Sequence, residues 1–351
     1  MVLPARYQPS GGILSGGMGS VHLCTDTVLD REVAIKVITD PAQHRRLLDK
    51  IRALLKMRSK HVVQVYDVLQ LGSSGLGIVQ EFIEGSDLFD SALTPRTSSD
   101  FYKQIWQIAS GISDIHAVGV IHRDIKLNNM KIDPEGVVKI FDFGLARDDG
   151  TSASTVGFVG TQGFAAPELY ANNANFTAAV DTYAFGISAL FIATRGLPPD
   201  LMRQPPTPLG SSYFSGLPFG VAPEIVHALD QCLSPNPRNR PHMAHIRDFL
   251  ARHVLFDRHH ALLVFQGRVS YLNSTTRSVN LSLQNMGQIQ IHYDGLDFRV
   301  RSLSGDVYVN NNRLAVGDVL PGSCVVALGS PDKGNLRRYI TFDLSHPEIV
   351  L

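Results

Sequence analysis

The chain has 351 residues, with 32 lysines and arginines, 32 aspartates and glutamates, a formal net charge of zero and 44% hydrophobic residues. This length predicts one large domain and a smaller one, and the hydrophobic fraction excludes extensive disorder. Without a basic excess, the composition excludes a protein that binds nucleic acid through bulk charge.

The cysteines and the hydropathy of the chain indicate the cellular compartment in which the protein is expected. Cys24, Cys232 and Cys324 lie far apart along the chain, so they provide neither a disulfide framework nor zinc spacing, which favours a reducing environment. Residues 1–12 lack the apolar segment of a secretory signal. The most apolar stretch, residues 184–194, is too short to span a bilayer and predicts a buried helix. These features predict a cytoplasmic protein without a membrane span.

The first third of the chain has a β-rich pattern with one helix. Glycine-rich residues 11–25 lead into VHLC, and residues 32–38 (EVAIKVI) form a β-branched run. Between residues 41 and 57, apolar side chains recur at spacings of three and four, which predicts an amphipathic helix. Residues 61–71 and 76–82 then predict two strands joined by a Gly-Ser-Ser-Gly turn.

From residue 100 to about residue 252 the pattern is mostly helical. A helix is predicted over residues 101–118, because four isoleucines share one face: Ile105, Ile108, Ile112 and Ile115. A β-rich interlude follows at residues 120–143. Residues 148–164 and 198–223 are rich in Gly, Ser, Thr or Pro and predict loops.

The pattern changes again after residue 257. Seven short alternating runs (LLVFQ, VNLSLQ, QIQIHY, FRVRS, DVYVN, CVVALG and YITFDL) recur at roughly ten-residue spacing. This spacing predicts a small β-sandwich. The boundary between the two domains is predicted at residues 252–260.

Five motifs follow one another in the larger domain: LSGGMGSV (14–21), VAIK (33–36), HRDIKLNN (122–129), DFG (142–144) and APE (166–168). In this order and spacing, residues 1–255 resemble the eukaryotic-type protein kinases, and the GGMG loop is similar to that of their bacterial branch. The resemblance implies an α+β bilobal fold, with an N-lobe over about residues 1–82 and a C-lobe over about 86–255. It also implies an ATP-dependent serine/threonine protein kinase that acts on protein substrates.

Each motif suits phosphoryl transfer. Bare glycine backbone can approach a triphosphate closely, and a lysine on a rigid strand, Lys36, can hold phosphates as a point charge. The resemblance assigns the cofactor Mg²⁺, or alternatively Mn²⁺, to the side-chain oxygens of Asn129 and Asp142. It makes Asp124 the acceptor of the substrate hydroxyl's proton, with Lys126 as a further catalytic residue. The implied ATP contacts are Gly16, Gly17, Gly19, Val21, Ala34, Lys36, Glu81 and Ile83.

The resemblance also implies supporting and regulatory residues. Glu168 and Arg240 match an ion pair at the end of the activation segment, and Asp181 matches a residue that supports the backbone around Arg123. Thr161 and Lys126 are placed as in kinases that phosphorylate Ser or Thr. We expect autophosphorylation in the loop between DFG and APE, with the phosphate pairing with Arg123. The hydroxyl residues of this loop are Thr151, Ser152, Ser154 and Thr155.

Two positions depart from the kinase pattern. Leu14 replaces the first glycine of the phosphate loop, and Lys50 stands where a glutamate normally pairs with Lys36. Two ammonium groups about 4 Å apart repel by about 4 kcal/mol at an effective dielectric of 20. Asp49 can serve only if the helix is rotated, because neighbouring helical residues point about 100° apart. Either the register of a divergent helix differs here, or catalysis is weakened or regulated.

These departures leave two classes of function open. One is an active kinase, which the retention of Lys36, Asp124, Asn129 and Asp142 favours. The other is a pseudokinase scaffold that acts through nucleotide and partner binding. A small-molecule kinase is a third reading, which the segment from residue 160 to APE disfavours. The substrate, the trigger and the oligomeric state are not indicated by the sequence.

The C-terminal segments DVYVNNNRL (306–314) and LPGSCVVALG (320–329) resemble the second half of a forkhead-associated (FHA) sandwich over residues 260–351. That family recognises phosphothreonine, so the resemblance implies phosphothreonine peptides as partners, with Arg277 in TRSVN (276–280) as the phosphate ligand. The family's Ser-x-x-His is replaced by MGQIQ (286–290), and its Asn-Gly by Asn310 and Asn311. A docking or autoregulatory sandwich without phosphate recognition is therefore the alternative.

Overall fold

The computed structural model describes residues 3–345 except 17–18, 39–43, 73–74, 143–162 and 171–176, together with residues 347 and 349. The chain divides into two compact units, residues up to 250 and residues from 251 onward. This division falls a few residues before the boundary predicted at 252–260. Among the described helices, none combines the length and apolar character needed to cross a membrane.

Five antiparallel strands form the first sheet of the N-terminal unit, in the order β1-β2-β3-β5-β4. They are β1 (Tyr7–Gly16), β2 (Gly19–Asp26), β3 (Arg31–Ile38), β4 (Val65–Leu71) and β5 (Gly75–Glu81). Their apolar side chains share a core that includes Tyr7, Cys24, Val33, Ile35 and Val79. The predicted helix between β3 and β4 is confirmed as α1 (His44–Lys56).

The rest of this unit is mostly helical. Its helices are α2 (Ser98–Ala117), α3 (Ala179–Thr194), α4 (Pro223–Cys232) and α5 (Met243–Val254). Thr97 caps α2 by accepting the backbone N–H of Asp100, and the four isoleucines predicted to share a face are buried. A three-stranded sheet joins β6 (Ser86–Asp87), β7 (Met130–Ile132) and β8 (Val138–Ile140). Helix α3 is buried on nearly all sides, as its apolar sequence predicts.

The described part of the C-terminal unit holds nine strands, two more than the seven predicted. They are β9 (Ala261–Phe265), β10 (Arg268–Leu272), β11 (Ser278–Leu283), β12 (Gly287–Tyr293), β13 (Phe298–Gly305), β14 (Val307–Val309), β15 (Asn312–Arg313), β16 (Cys324–Leu328) and β17 (Arg338–Leu344). The order is β10-β9-β17-β16-β14-β15 in one sheet and β11-β12-β13 in the other. Both sheets contribute to one core, as Phe342 and Val326 do from the first and Ile289 and Ile291 from the second. Strand β10 (RVSYL) was not predicted; apart from Leu272 it is exposed or only partly buried. Strand β15 was not predicted because it has only two residues, both polar.

Candidate active site

Lys36 lies on β3, on the face of the sheet that it shares with Val21 and Ala34. In the antiparallel register, Lys36 is opposite Val21 of β2, and Ala34 is opposite Gln80 of β5. Directly opposite residues point to the same face, and so do residues two apart on one strand. Lys36 is 8% exposed, and its ammonium group forms an ion pair with the carboxylate of Asp142.

Asp124, Lys126 and Asn129 form a buried polar cluster in the segment that leads into β7. Lys126 Nζ lies 2.8 Å from Asp124 Oδ2. Asn129 Nδ2 donates to the backbone carbonyl of Asp124 at 2.8 Å and to its Oδ2 at 2.9 Å. All three residues are buried. Because the amide nitrogen of Asn129 is engaged by Asp124, its amide oxygen is the atom suited to a cation.

Asp142 follows β8 and is anchored close to Asn129 through the main chain. The N–H of Phe141 donates to the carbonyl of Asn129 at 3.0 Å, and Asp142 itself has a φ of 58°. The carboxylate of Asp142 and the amide oxygen of Asn129 are hard oxygen donors, a set that fits Mg²⁺. The described ranges contain no cluster of three or more His, Cys, Asp or Glu side chains that would suit a different metal.

Asp181 of α3 supports the backbone around Arg123. Its carboxylate accepts the N–H groups of His122 and Arg123, both at 2.8 Å, and lies 2.9 Å from Nε2 of His116. Arg123 has a φ of 67°, a left-handed conformation that needs such support in a residue other than glycine. His116 was not predicted from the sequence, because a histidine on a helix carries no motif.

The surroundings of His122 favour its neutral ring. Burial lowers its pKa, although the charges of Asp181 and Asp124 act in the opposite direction. The N–H of Asp124 donates to Nδ1 of His122 at 3.3 Å. The proton of the neutral ring is therefore on Nε2, which lies 3.2 Å from the carbonyl of Phe141. This bond fixes the residue that precedes Asp142.

Glu81 ends β5, at the position that the resemblance assigns to adenine binding. Its backbone N–H donates to the carbonyl of Gln64 at 2.9 Å, and its carboxylate forms an ion pair with Lys139. Ile83, two residues further on, is buried. Gln64 and Lys139 were not predicted, because nothing in the local pattern marks them.

The family model described as the protein kinase domain matches residues 7–249. The chain belongs to the protein kinase family.

Curated relatives agree with this family membership. CBL-interacting serine/threonine-protein kinase 1 of Arabidopsis thaliana is 33% identical over 251 residues, which cover 67% of this chain and 55% of the relative. A probable serine/threonine-protein kinase of Corynebacterium efficiens is 31% identical over 68% of this chain and 40% of its own length. Serine/threonine-protein kinase PknA of Corynebacterium glutamicum is 37% identical over 53% and 42%. The chain thus spans about half the length of these relatives, and their names confirm the predicted eukaryotic-type serine/threonine class.

Of the other positions that the resemblance names, some are described by the structure and some are not. Arg240, whose side chain is fully buried, binds both carboxylate oxygens of Glu168, at 2.6 and 2.8 Å. Gly16 and Gly19 face each other at the ends of β1 and β2. The remaining predicted positions lie outside the described residues: Gly17, Thr151, Ser152, Ser154, Thr155, Thr161 and the side chains of Asp49 and Lys50.

The positions compared with the FHA signature do not come together. Strands β11 and β12 pair from Ser278 opposite His292 to Leu283 opposite Gly287. Arg277 therefore precedes one end of this hairpin, whereas Met286 lies in the turn at the other end. The six residues of β11 separate them by about 20 Å.

Arg277 is also engaged within its own unit. One guanidinium nitrogen donates to Asp257 Oδ2 at 2.6 Å, and the guanidinium carbon lies 5.7 Å from the ring centroid of Tyr293. A phosphate at Arg277 would therefore have to compete with a carboxylate already in place.

Proposed function

We propose that the protein is an ATP- and Mg²⁺-dependent serine/threonine protein kinase. The observation that carries the proposal is the buried cluster of Asp124, Lys126 and Asn129 beside the ion pair of Lys36 and Asp142. Burying charged groups costs free energy unless they are paired. A fold that served only as a scaffold has no need of so many of them in one cleft.

The proposed reaction follows from these positions. Asp124 accepts the proton of a Ser or Thr hydroxyl while that oxygen bonds to the γ-phosphorus and the bond to the ADP oxygen breaks. Lys36 and Lys126 place positive charge beside the phosphates. Asn129 and Asp142 would hold Mg²⁺, which when bound neutralises phosphate charge. The glycine backbone at residues 16–19 would cover the triphosphate, and Val21, Ala34 and the chain at 81–83 would contact the base.

Transfer of the labelled γ-phosphate of ATP to the chain itself or to a generic protein substrate tests the proposal. We expect labelling by the wild type and background labelling by Asp124→Ala and Asp142→Ala. Asp67→Ala, which replaces an exposed side chain of β4, is the matched control and should label like the wild type. Equal labelling in all four proteins contradicts the proposal, and ATP binding without transfer by the wild type identifies a pseudokinase scaffold instead.

Autophosphorylation of the activation segment is part of the proposal. The hydroxyl residues predicted to be modified lie between Asp142 and Glu168 in the sequence. Phosphopeptide mapping after incubation with ATP should find phosphate on Thr151, Ser152, Ser154 or Thr155 in the wild type and none in Asp124→Ala. An unmodified segment in an active wild type contradicts this part.

For the C-terminal unit we propose an FHA-like sandwich that docks a partner or regulates the kinase without recognising phosphate. The bond of Arg277 to Asp257 and the separation of Arg277 from Met286 support this choice over a phosphothreonine reader. Calorimetric titration of the full chain should show the same weak or absent heat with a phosphothreonine peptide and with its unphosphorylated form. A phosphate-dependent affinity contradicts it.

A further inference from the structure

An ion pair between Glu81 and Lys139 joins two sheets of the kinase unit. Lys139 Nζ lies 2.7 Å from Glu81 Oε1, and the two side chains are 16% and 23% exposed. Glu81 is the last residue of β5, in the five-stranded sheet, and Lys139 is the middle residue of β8, in the three-stranded sheet. The resemblance assigns a role to the backbone of Glu81 but none to this side-chain contact.

Residues 61–64 are hydrogen-bonded both to Glu81 at the end of β5 and to strand β8, which carries Lys139. Gln64 N–H donates to Glu81 Oε2 at 3.1 Å, and Glu81 N–H donates to the Gln64 carbonyl at 2.9 Å. On the side of β8, the N–H of Ile140 donates to the carbonyl of His61, and the N–H of Val63 to the carbonyl of Ile140, both at 2.9 Å. The two carboxylate oxygens of Glu81 thus serve different neighbours, Oε2 the segment and Oε1 the strand β8.

The charges make each partner depend on the other. Lys139 lies directly opposite Lys131 of β7, and like charges in directly opposite positions destabilise a strand pair. Glu81 supplies the carboxylate that compensates Lys139. If Lys139 were absent, the partly buried carboxylate of Glu81 would keep the N–H of Gln64 and lose its counter-ion.

Both partners are close in the chain to the nucleotide site. Glu81 lies two residues before Ile83, and Lys139 lies three residues before Asp142. A change in how β5 meets β8 therefore moves the main chain assigned to adenine relative to the carboxylate assigned to the metal. In a site of this kind, small displacements of positioned groups weaken binding.

We propose that the side chains of Glu81 and Lys139 are a positioning pair, which holds the adenine-binding main chain at the correct distance from Asp142 and thereby sets the affinity for ATP. This inference rests on the proposed kinase function. Neither side chain contacts the reacting atoms in this proposal. Loss of the pair should therefore change the affinity for ATP and leave the rate of the chemical step nearly unchanged.

Steady-state kinetics and calorimetric ATP binding, on the full chain with Mg²⁺, test the pair. Lys139→Met should raise KM and Kd for ATP about tenfold while kcat stays within about threefold, because the lost interaction is made equally in the ground and transition states. Lys139→Arg, which keeps the charge, should restore both constants to within about twofold of the wild type. The matched control is Lys131→Met, the same substitution on the facing strand, which should leave both constants unchanged.

A double variant separates the pair from general damage to the fold. Glu81→Lys combined with Lys139→Glu reverses the ion pair and should bind ATP more tightly than either single variant, because the two sites are coupled. Strictly additive losses, or an unchanged Kd in Lys139→Met, overturn the inference. If a single variant fails to fold, recovery of a folded, ATP-binding protein in the double variant supports the pair, and no recovery overturns it.

The same titrations distinguish this inference from the proposed function. If the wild type binds ATP but transfers no phosphate, the kinase proposal fails, whereas the Kd comparison still decides the pair. If the wild type transfers phosphate and the variants have the same Kd for ATP as the wild type, the proposed positioning pair is wrong and the kinase proposal stands. A wild type that binds no ATP overturns both.

Discussion

The two units differ in how deeply they bury ion pairs. In the kinase unit, Lys36, Asp124, Lys126 and Asp181 are each at most 9% exposed, although they come from different parts of the chain. In the C-terminal unit, ion pairs lie near the surface, such as Arg299–Asp294 at 45% and 35% exposure and Arg313–Asp306 at 68% and 41%.

This difference has a thermodynamic meaning. An exposed pair contributes about 0–1 kcal/mol, because water and salt screen both charges. Removing one partner of a buried pair costs about 3–5 kcal/mol, because the other is left without compensation. Buried charge that is retained in a cleft therefore indicates a working site, whereas exposed pairs of the same residue types do not.

Lys36→Met is expected to have the largest effect. Loss of the point charge assigned to the phosphates should lower the rate of phosphate transfer by about 10²–10³-fold. Lys36→Arg should not recover it, because a planar fork does not replace an ammonium group. The assay is transfer of labelled γ-phosphate, with exposed Lys333→Met of the C-terminal unit as the control. If Lys36→Met keeps more than about a tenth of the wild-type rate, the buried charge of the kinase unit is not functionally different from the exposed charge of the C-terminal unit.

Arg240→Met tests the cost of a buried pair in the kinase unit. Besides Glu168, Arg240 bonds the carbonyls of Ser234 and Ala179, so its removal should lower the free energy of unfolding by about 3–5 kcal/mol. Urea unfolding measures the change. Arg203→Met is the control, because its pair with Asp200 is 65% and 35% exposed and should cost less than about 0.5 kcal/mol. Equal losses would show that burial is not the deciding variable.

Acid should destabilise the kinase unit through two buried histidines. Burial lowers the pKa of His61 and of His122, whereas the unfolded chain titrates near about 6.5. Below that pH the unfolded state binds protons that the folded state does not, so each histidine lowers the free energy of unfolding by up to about 1.4 kcal/mol per pH unit. Above about pH 6.5 the free energy of unfolding has its full value with respect to these two histidines. It falls as the pH is lowered from there towards the folded pKa.

Urea unfolding at about pH 7.5 and about pH 5.5 measures this dependence. His61→Gln removes one titrating group and leaves an amide near the carbonyl of Val138, which His61 Nδ1 contacts at 3.1 Å. Its stability should therefore fall less steeply with acid than that of the wild type. Identical slopes would contradict the assignment to His61.

Arg277→Ala should have the smallest effect. The side chains of Arg277 and Asp257 are 36% and 30% exposed, so the free energy of unfolding of the C-terminal unit should change by less than about 1 kcal/mol. Titration with a phosphothreonine peptide should be the same for the variant and the wild type. If only the wild type binds the peptide in a phosphate-dependent way, Arg277 is a phosphate ligand. The C-terminal unit would then have a functional charged site, as the kinase unit does.

Part of the fold could be predicted because its cause is local. Apolar spacing in residues 41–57 and the four isoleucines of α2 depend only on helical geometry, and the structure confirms both helices. Asn312 and Arg313 of β15 carry no apolar alternation, so that strand exists only through its pairing with β14. The candidate site follows the same rule, since its motif residues could be named in advance, whereas His116, Gln64 and Lys139 could not.

The sequence by itself determined the family, because five motifs occur in one order and spacing that is specific to it. It also determined which segments form most of the strands and helices, since periodicity is a property of neighbours in the chain. Only the tertiary structure decided which charges meet. Lys36 and Asp142 lie 106 residues apart, and Glu81 and Lys139 lie 58 apart, so their contacts depend on how the sheets close around residues 61–64. Tertiary structure also separates Arg277 from Met286. The register of strands β11 and β12, and not the sequence of a motif, decides which side chains lie at the same end of the hairpin.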